Sequence, residues 1–211
     1  MKLNRLTLVA FATIVASSAG AVILTPDAYT PLPGSLSPGG TIVEDVLESF
    51  SFAAYGGTVT GQVQNRVVLK GDGTYFFAWR IFNDANSSGK IQDLRTIGFE
   101  TPVYDGDWDN TSLGDMAPTQ AFLFSMPGGF VNFNFNRSTD PGGLTPGQSS
   151  RFFYLDTNAT AYGRVATYDL TNLGQTEISG QYSTFAPVPE PATFAVLGIG
   201  LLAFARRKKR S

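Results

Sequence analysis

Thr74-Tyr75-Phe76-Phe77-Ala78-Trp79-Arg80-Ile81-Phe82-Asn83 is apolar on both sides, as expected of a strand buried in the middle of a sheet. Just before it, Val59, Gly61, Val63, Asn65 and Val67 alternate with Thr58, Thr60, Gln62, Gln64 and Arg66. That period of two belongs to a strand with one wet face. Gly71-Asp72-Gly73 supplies the turn between them.

The same pattern continues outward. Residues 91–100, 120–125, 130–136, 150–156 and 162–169 read as further strands, with a hairpin about Pro127-Gly128-Gly129 and a long acidic loop over 104–118. Residues 42–50 are ambiguous, because Val43, Val46, Leu47 and Phe50 fall at helical spacing. The β-branched residues and the neighbouring strands decide for a first strand. Many short strands with Gly/Pro turns and almost no helical periodicity predict an all-β antiparallel sandwich of immunoglobulin-like or jelly-roll type. Residues 24–40 are rich in Pro, Gly and Ser and read as an extended lead-in. The expected division is a signal segment 1–21, a lead-in 22–40, a β-sandwich 41–187 and a tail 188–211.

Composition narrows the function. The 211 residues are 43% hydrophobic and only 15% charged, which is a folding composition. The net charge of −2 hides an asymmetry, because five of the 15 basic residues sit at the extreme C-terminus and two at the N-terminus. The body between carries about −8 and offers no basic surface for nucleic acid. With no Cys and no His, disulfides, Cys/His zinc sites, Ser-His-Asp triads and Cys-His pairs are all excluded.

Both ends carry signals. Lys2 and Arg5 precede an apolar run over 6–16, and Ala19-Gly20-Ala21 fits small-x-small cleavage, so Ala19 and Ala21 are the expected positions for cleavage of a signal helix exported by the Sec machinery. The other end reads Val188-Pro189-Glu190-Pro191-Ala192, then an apolar stretch, then Arg206-Arg207-Lys208-Lys209-Arg210. Each proline holds the residue before it extended, so Glu190 is displayed on a stiff strip. The stretch 192–205 is expected to be a short transmembrane helix, and the five cations stop it on the cytoplasmic side, leaving the body outside.

This tripartite tail resembles the PEP-CTERM sorting signal of Gram-negative bacteria. The resemblance implies processing by an exosortase, a polytopic inner-membrane protease, at Val188, Pro189, Glu190, Pro191 and Ala192. It also implies an inner-membrane-anchored intermediate, then the envelope surface or the extracellular space. The same tail is catalogued as the C-terminal domain of ice-binding proteins, a label for the tail and not for an activity. The body is similar to those commonly attached to such tails, through Tyr75-Phe76-Phe77, Asn83, Pro146-Gly147-Gln148-Ser149-Ser150 and Thr157-Asn158. That likeness implies an immunoglobulin-like fold and no particular activity.

Candidate chemistry within the body is sparse. Asp105-Gly106-Asp107-Trp108-Asp109 starts like a calcium loop, but Asn110 and Met116 stand where an EF-hand needs Gly and Glu. Asp105, Asp107 and Asp109 are therefore calcium candidates only, beside the alternative of a solvated acidic loop with Trp108 tucked inward; no other cofactor is expected. Sixteen acids in the body leave room for a glycosidase carboxylate pair. Asn132, Asn134 and Asn136 alternate with Val131, Phe133 and Phe135, a polar ladder able in principle to order water or bind sugar. The expected function is that of an exported, non-enzymatic cell-surface or matrix protein, with the exosortase and exopolysaccharide as partners. The alternatives are a carbohydrate-binding or calcium-assisted adhesion module, a secreted glycoside hydrolase and an ice-binding protein.

Overall fold

The structure, a computed structural model, describes residues 20–54, 56–99, 104–135, 142–172 and 178–188. They form twelve strands and no helix: β1 (Val22–Ile23), β2 (Tyr29–Pro31), β3 (Thr41–Ala54), β4 (Gly57–Leu69), β5 (Tyr75–Asn83), β6 (Ile91–Ile97), β7 (Asp105–Trp108), β8 (Gln120–Leu123), β9 (Val131–Asn134), β10 (Phe153–Asp156), β11 (Tyr162–Asn172) and β12 (Tyr182–Pro187). Two six-stranded sheets result, ordered β1-β7-β10-β5-β4-β3 and β12-β11-β6-β9-β8-β2. Every strand pair is antiparallel.

The strand over 74–83 is central, as its apolar faces require. β5 lies between β4 and β10, and Phe76, Phe77, Ala78, Trp79 and Ile81 are all buried. Its inward face meets the second sheet: the Trp79 ring lies 6.0 Å from Phe133 of β9. Trp79 Nε1 donates to Thr184 Oγ1 of β12 at 3.0 Å, and that hydroxyl donates to Asn65 Oδ1 of β4 at 2.8 Å. The two sheets thus share one interior, filled largely by aromatic rings. The ambiguous segment 42–50 is a strand, and it lies within the longer β3.

Two expectations change. The acidic loop 104–118 contains a strand, β7, that pairs with β10 and β1. Asp and Gly have weak strand propensity, so only the pairing reveals it. The lead-in 22–40 is extended as expected, but it is woven into both sheets as β1 and β2. Leu24 and Leu32 are buried in the core, and Ser35 Oγ hydrogen-bonds Tyr154 Oη at 3.0 Å over the outer side of the first sheet. Gly34 (φ +81°) passes so close to Trp108 that a Cβ there would lie 2.2 Å from Cζ2, so only glycine fits.

Candidate functional sites

The C-terminal signal starts where a strand stops. β12 runs along the edge of the second sheet, with Gly163 opposite Ala186 and Tyr162 opposite Pro187. The next residue, Val188, is tied by its N–H to the Ala161 carbonyl at 3.2 Å. Pro189 follows at once, so no spacer separates the folded body from the Pro-Glu-Pro strip. Pro189, Glu190, Pro191, Ala192 and the basic Arg206, Arg207, Lys208, Lys209 and Arg210 lie outside the described residues. So does Ala19 at the other end. Ala21 packs against the small outer cluster of Val68, Phe76, Ala78 and Tyr154, and Val22 is the first paired residue of β1. Among the described residues no helix is long and apolar enough to cross a membrane.

The three candidate calcium ligands are each engaged separately. Asp107 is fully buried, and its Oδ1 accepts from the N–H groups of Gly34 and Trp108, both at 2.9 Å. Asp109 caps its own turn, accepting from the Thr111 N–H at 2.9 Å and hydroxyl at 2.6 Å. Asp105 stands opposite Asp156 of β10, beside a cavity of about 260 Å³ that Lys70 also lines. Burial, and then the charge of Asp156, push its carboxyl above the usual carboxylate range. Lys70 Nζ reaches Asp156 Oδ1 at 2.6 Å. The structure therefore brings Asp105 to a second carboxylate and a lysine, and does not gather the three aspartates. Among the described residues no group of three acids is placed to hold a metal ion. Trp108 is half-buried, and its Nε1 donates to the Leu32 carbonyl at 3.2 Å.

The asparagine ladder is only partly a free surface. Val131, Phe133 and Phe135 face the core as their alternation predicts. On the other face Asn134 is fully buried and its Nδ2 donates to Asp93, whereas Asn132 keeps some exposure. Asn136 lies outside the described residues.

Residues 187–210 match the family model of the PEP-CTERM protein-sorting motif. This tail is a PEP-CTERM sorting signal. Comparison with curated proteins and with solved structures each returned no match. The PEP-CTERM signal places the protein among exported chains, held first as a membrane-anchored intermediate and then passed to the cell surface or extracellular space. An exosortase, a membrane protease, is the processing partner that the signal implies. The PEP-CTERM motif overlaps β12 by one residue, Pro187.

One surface was not foreseen from sequence. Tyr29 of β2, Phe122 of β8, and Phe124 and Phe130 of the following hairpin turn outward together. Their ring centroids are 4.9, 4.6 and 6.2 Å apart in succession. The signal for it is parity: Phe130 is out of step with the inward Phe133 and Phe135, as Phe122 is with Ala121 and Leu123.

Proposed function

We propose that the mature protein is a non-enzymatic component of the cell surface or extracellular matrix, associated with exopolysaccharide. The PEP-CTERM signal carries this reading, because it delivers the body to that compartment. Export through the Sec machinery, with cleavage after Ala19 or Ala21, completes it. We read the two-sheet body as a β-sandwich of the jelly-roll form in preference to the immunoglobulin form. The order β7-β10-β5 in one sheet and β11-β6-β9 in the other supports this, since the chain alternates between sheets from β5 to β7 and again from β9 to β11. Jelly rolls are common among lectin domains, an analogy of fold only. Fractionating the producing cells tests the proposal. The protein is expected in the polysaccharide-rich matrix fraction, and its appearance as free protein in the medium contradicts it.

A second reading, a secreted glycoside hydrolase, is favoured by one observation: Asp105 and Asp156 face each other across paired strands, with one carboxyl pushed up and the other held by Lys70. Release of reducing ends from matrix polysaccharide, lost in Asp156→Asn, selects it over the non-enzymatic reading.

A further inference from the structure

The geometry points to the outer face of β2, β8, β9, β6 and β11 as a binding strip for a neutral polysaccharide chain. Tyr29, Phe122, Asn132, Arg95 and Asp169 lie directly opposite one another in register across five neighbouring strands, so their side chains share one face of the second sheet. Phe124 and Phe130 extend that face by one further step and are joined by a hydrogen bond from the Phe124 N–H to the Phe130 carbonyl. Tyr29 is 48% exposed and the three Phe are half-buried. These outward rings, in contact with one another, form one contiguous apolar patch.

The polar half of the strip is built into the same rows. Arg95 lies with its guanidinium 5.9 Å from the Phe130 ring centroid and donates through Nε and Nη2 to Asp169 Oδ2, at 3.2 and 2.6 Å. Asp169 is almost wholly buried, and the two bonds to it fix the guanidinium in place. Asn132, between Phe122 and Arg95, is partly exposed, although its Oδ1, like Asp169 Oδ1, is buried and without a hydrogen-bond partner. At one end Phe124 also lines a cavity of about 460 Å³ with Tyr104, Met126 and Pro127.

A pyranose chain fits this chemistry. Its C–H faces stack on aromatic rings, while its hydroxyls, at the ring edges, both donate and accept. Rings interleaved with an amide and a fixed guanidinium present the complementary pattern on one surface. Arg95 and Asp169 neutralise each other, so the strip selects a neutral glycan over an acidic one. A second copy of the chain fits less well. At about 150–250 Å² per aromatic side chain, one ring half-exposed and three less so present on the order of 300 Å². A stable interface buries about 800 Å² per partner.

The inference rests on the exopolysaccharide reading for its class of partner and adds the site. The test is native affinity electrophoresis of the envelope-purified protein. Gels contain either the neutral polysaccharide fraction of the producing cell's own matrix or hydroxyethylcellulose. Retardation is expected in the matrix gel and is expected to survive high salt. The double variant Phe122→Ala/Phe124→Ala is expected to weaken binding at least tenfold. Tyr29→Ala and Asn132→Ala, both on the outer face, are expected to weaken it severalfold with an unchanged near-ultraviolet circular dichroism spectrum. Equal retardation of wild type and all variants overturns the strip and leaves the matrix association standing. No retardation of the wild type in either gel overturns the strip, and the matrix fractionation then decides the broader reading separately. A concentration-dependent dimer in sedimentation that the same variants abolish also overturns it, making the face a contact between copies.

Discussion

Asn65, Thr184 and Trp79 form a hydrogen-bonded line that joins the first sheet to β12 of the second, and all three are buried. Thr184→Val keeps the shape and removes the hydroxyl, leaving the indole N–H and the Asn65 carbonyl oxygen unpaired. The expected cost is about 1–3 kcal/mol in urea denaturation, with Thr184→Ser much milder. Asp105 behaves oppositely. Its carboxyl is pushed up by burial, then by Asp156, so the folded protein holds that proton more tightly than the unfolded chain does. Stability contributed by the protonated form is lost as pH rises from the ordinary carboxylate value of about 3.9 through the raised folded value. Asp105→Asn is therefore expected to raise the melting temperature at pH 7 and to leave it unchanged near pH 3. The burial of Trp79 was legible from the apolar run around it. The pairing of Asp105 with Asp156 was not, because no local pattern reports which loop residue will face which strand.

The hairpin of β3 and β4 shows how an edge is managed. β3 is fourteen residues long, pairs with β4 on one side only, and exposes Ile42 and Leu47. Such an edge invites pairing with other chains. Here Glu44, Asp45 and Glu48 place negative charge along it, and Glu44 and Glu48 also reach Tyr162 and Arg164 of β11. The Tyr182 hydroxyl accepts from the Ser51 N–H at 3.1 Å and donates to the Ser51 carbonyl at 3.2 Å, occupying both edge groups. Tyr182→Phe is expected to cost under about 1 kcal/mol yet to increase light scattering on heating. Gly61 in β4 is a separate constraint. A Cβ there would lie 2.1 Å from the Phe82 carbonyl oxygen and 2.5 Å from the Phe50 ring, so Gly61→Ala is expected to destabilise by about 1–3 kcal/mol in the same denaturation assay. β4 was legible because its alternation is sustained and β5 because it is apolar on both sides, whereas β3 was ambiguous in its own spacing and was decided by its β-branched residues and its neighbours. β1, β2 and β7 were not legible, since runs of two to four residues (Val-Ile, Tyr-Thr-Pro and Asp-Gly-Asp-Trp) are too short to carry a period and are strands only through their partners.

At the scale of the whole molecule, the order of parts sets the destination. The body ends at Val188, pinned to Ala161, and the PEP-CTERM signal begins within the same strand. The body must therefore sit close to the membrane until the tail is cut. This logic was fully legible in sequence, because a Pro-Glu-Pro strip, an apolar stretch and a basic cluster act through composition and order alone. The aromatic strip was not, because it is assembled from residues nearly one hundred positions apart, Tyr29 and Phe122. The most direct measurement is mass spectrometry of the protein recovered from its native envelope. Export and sorting predict a mature chain that starts near Val22 and ends near Pro189. An intact chain still carrying Arg206 to Ser211 would contradict the account.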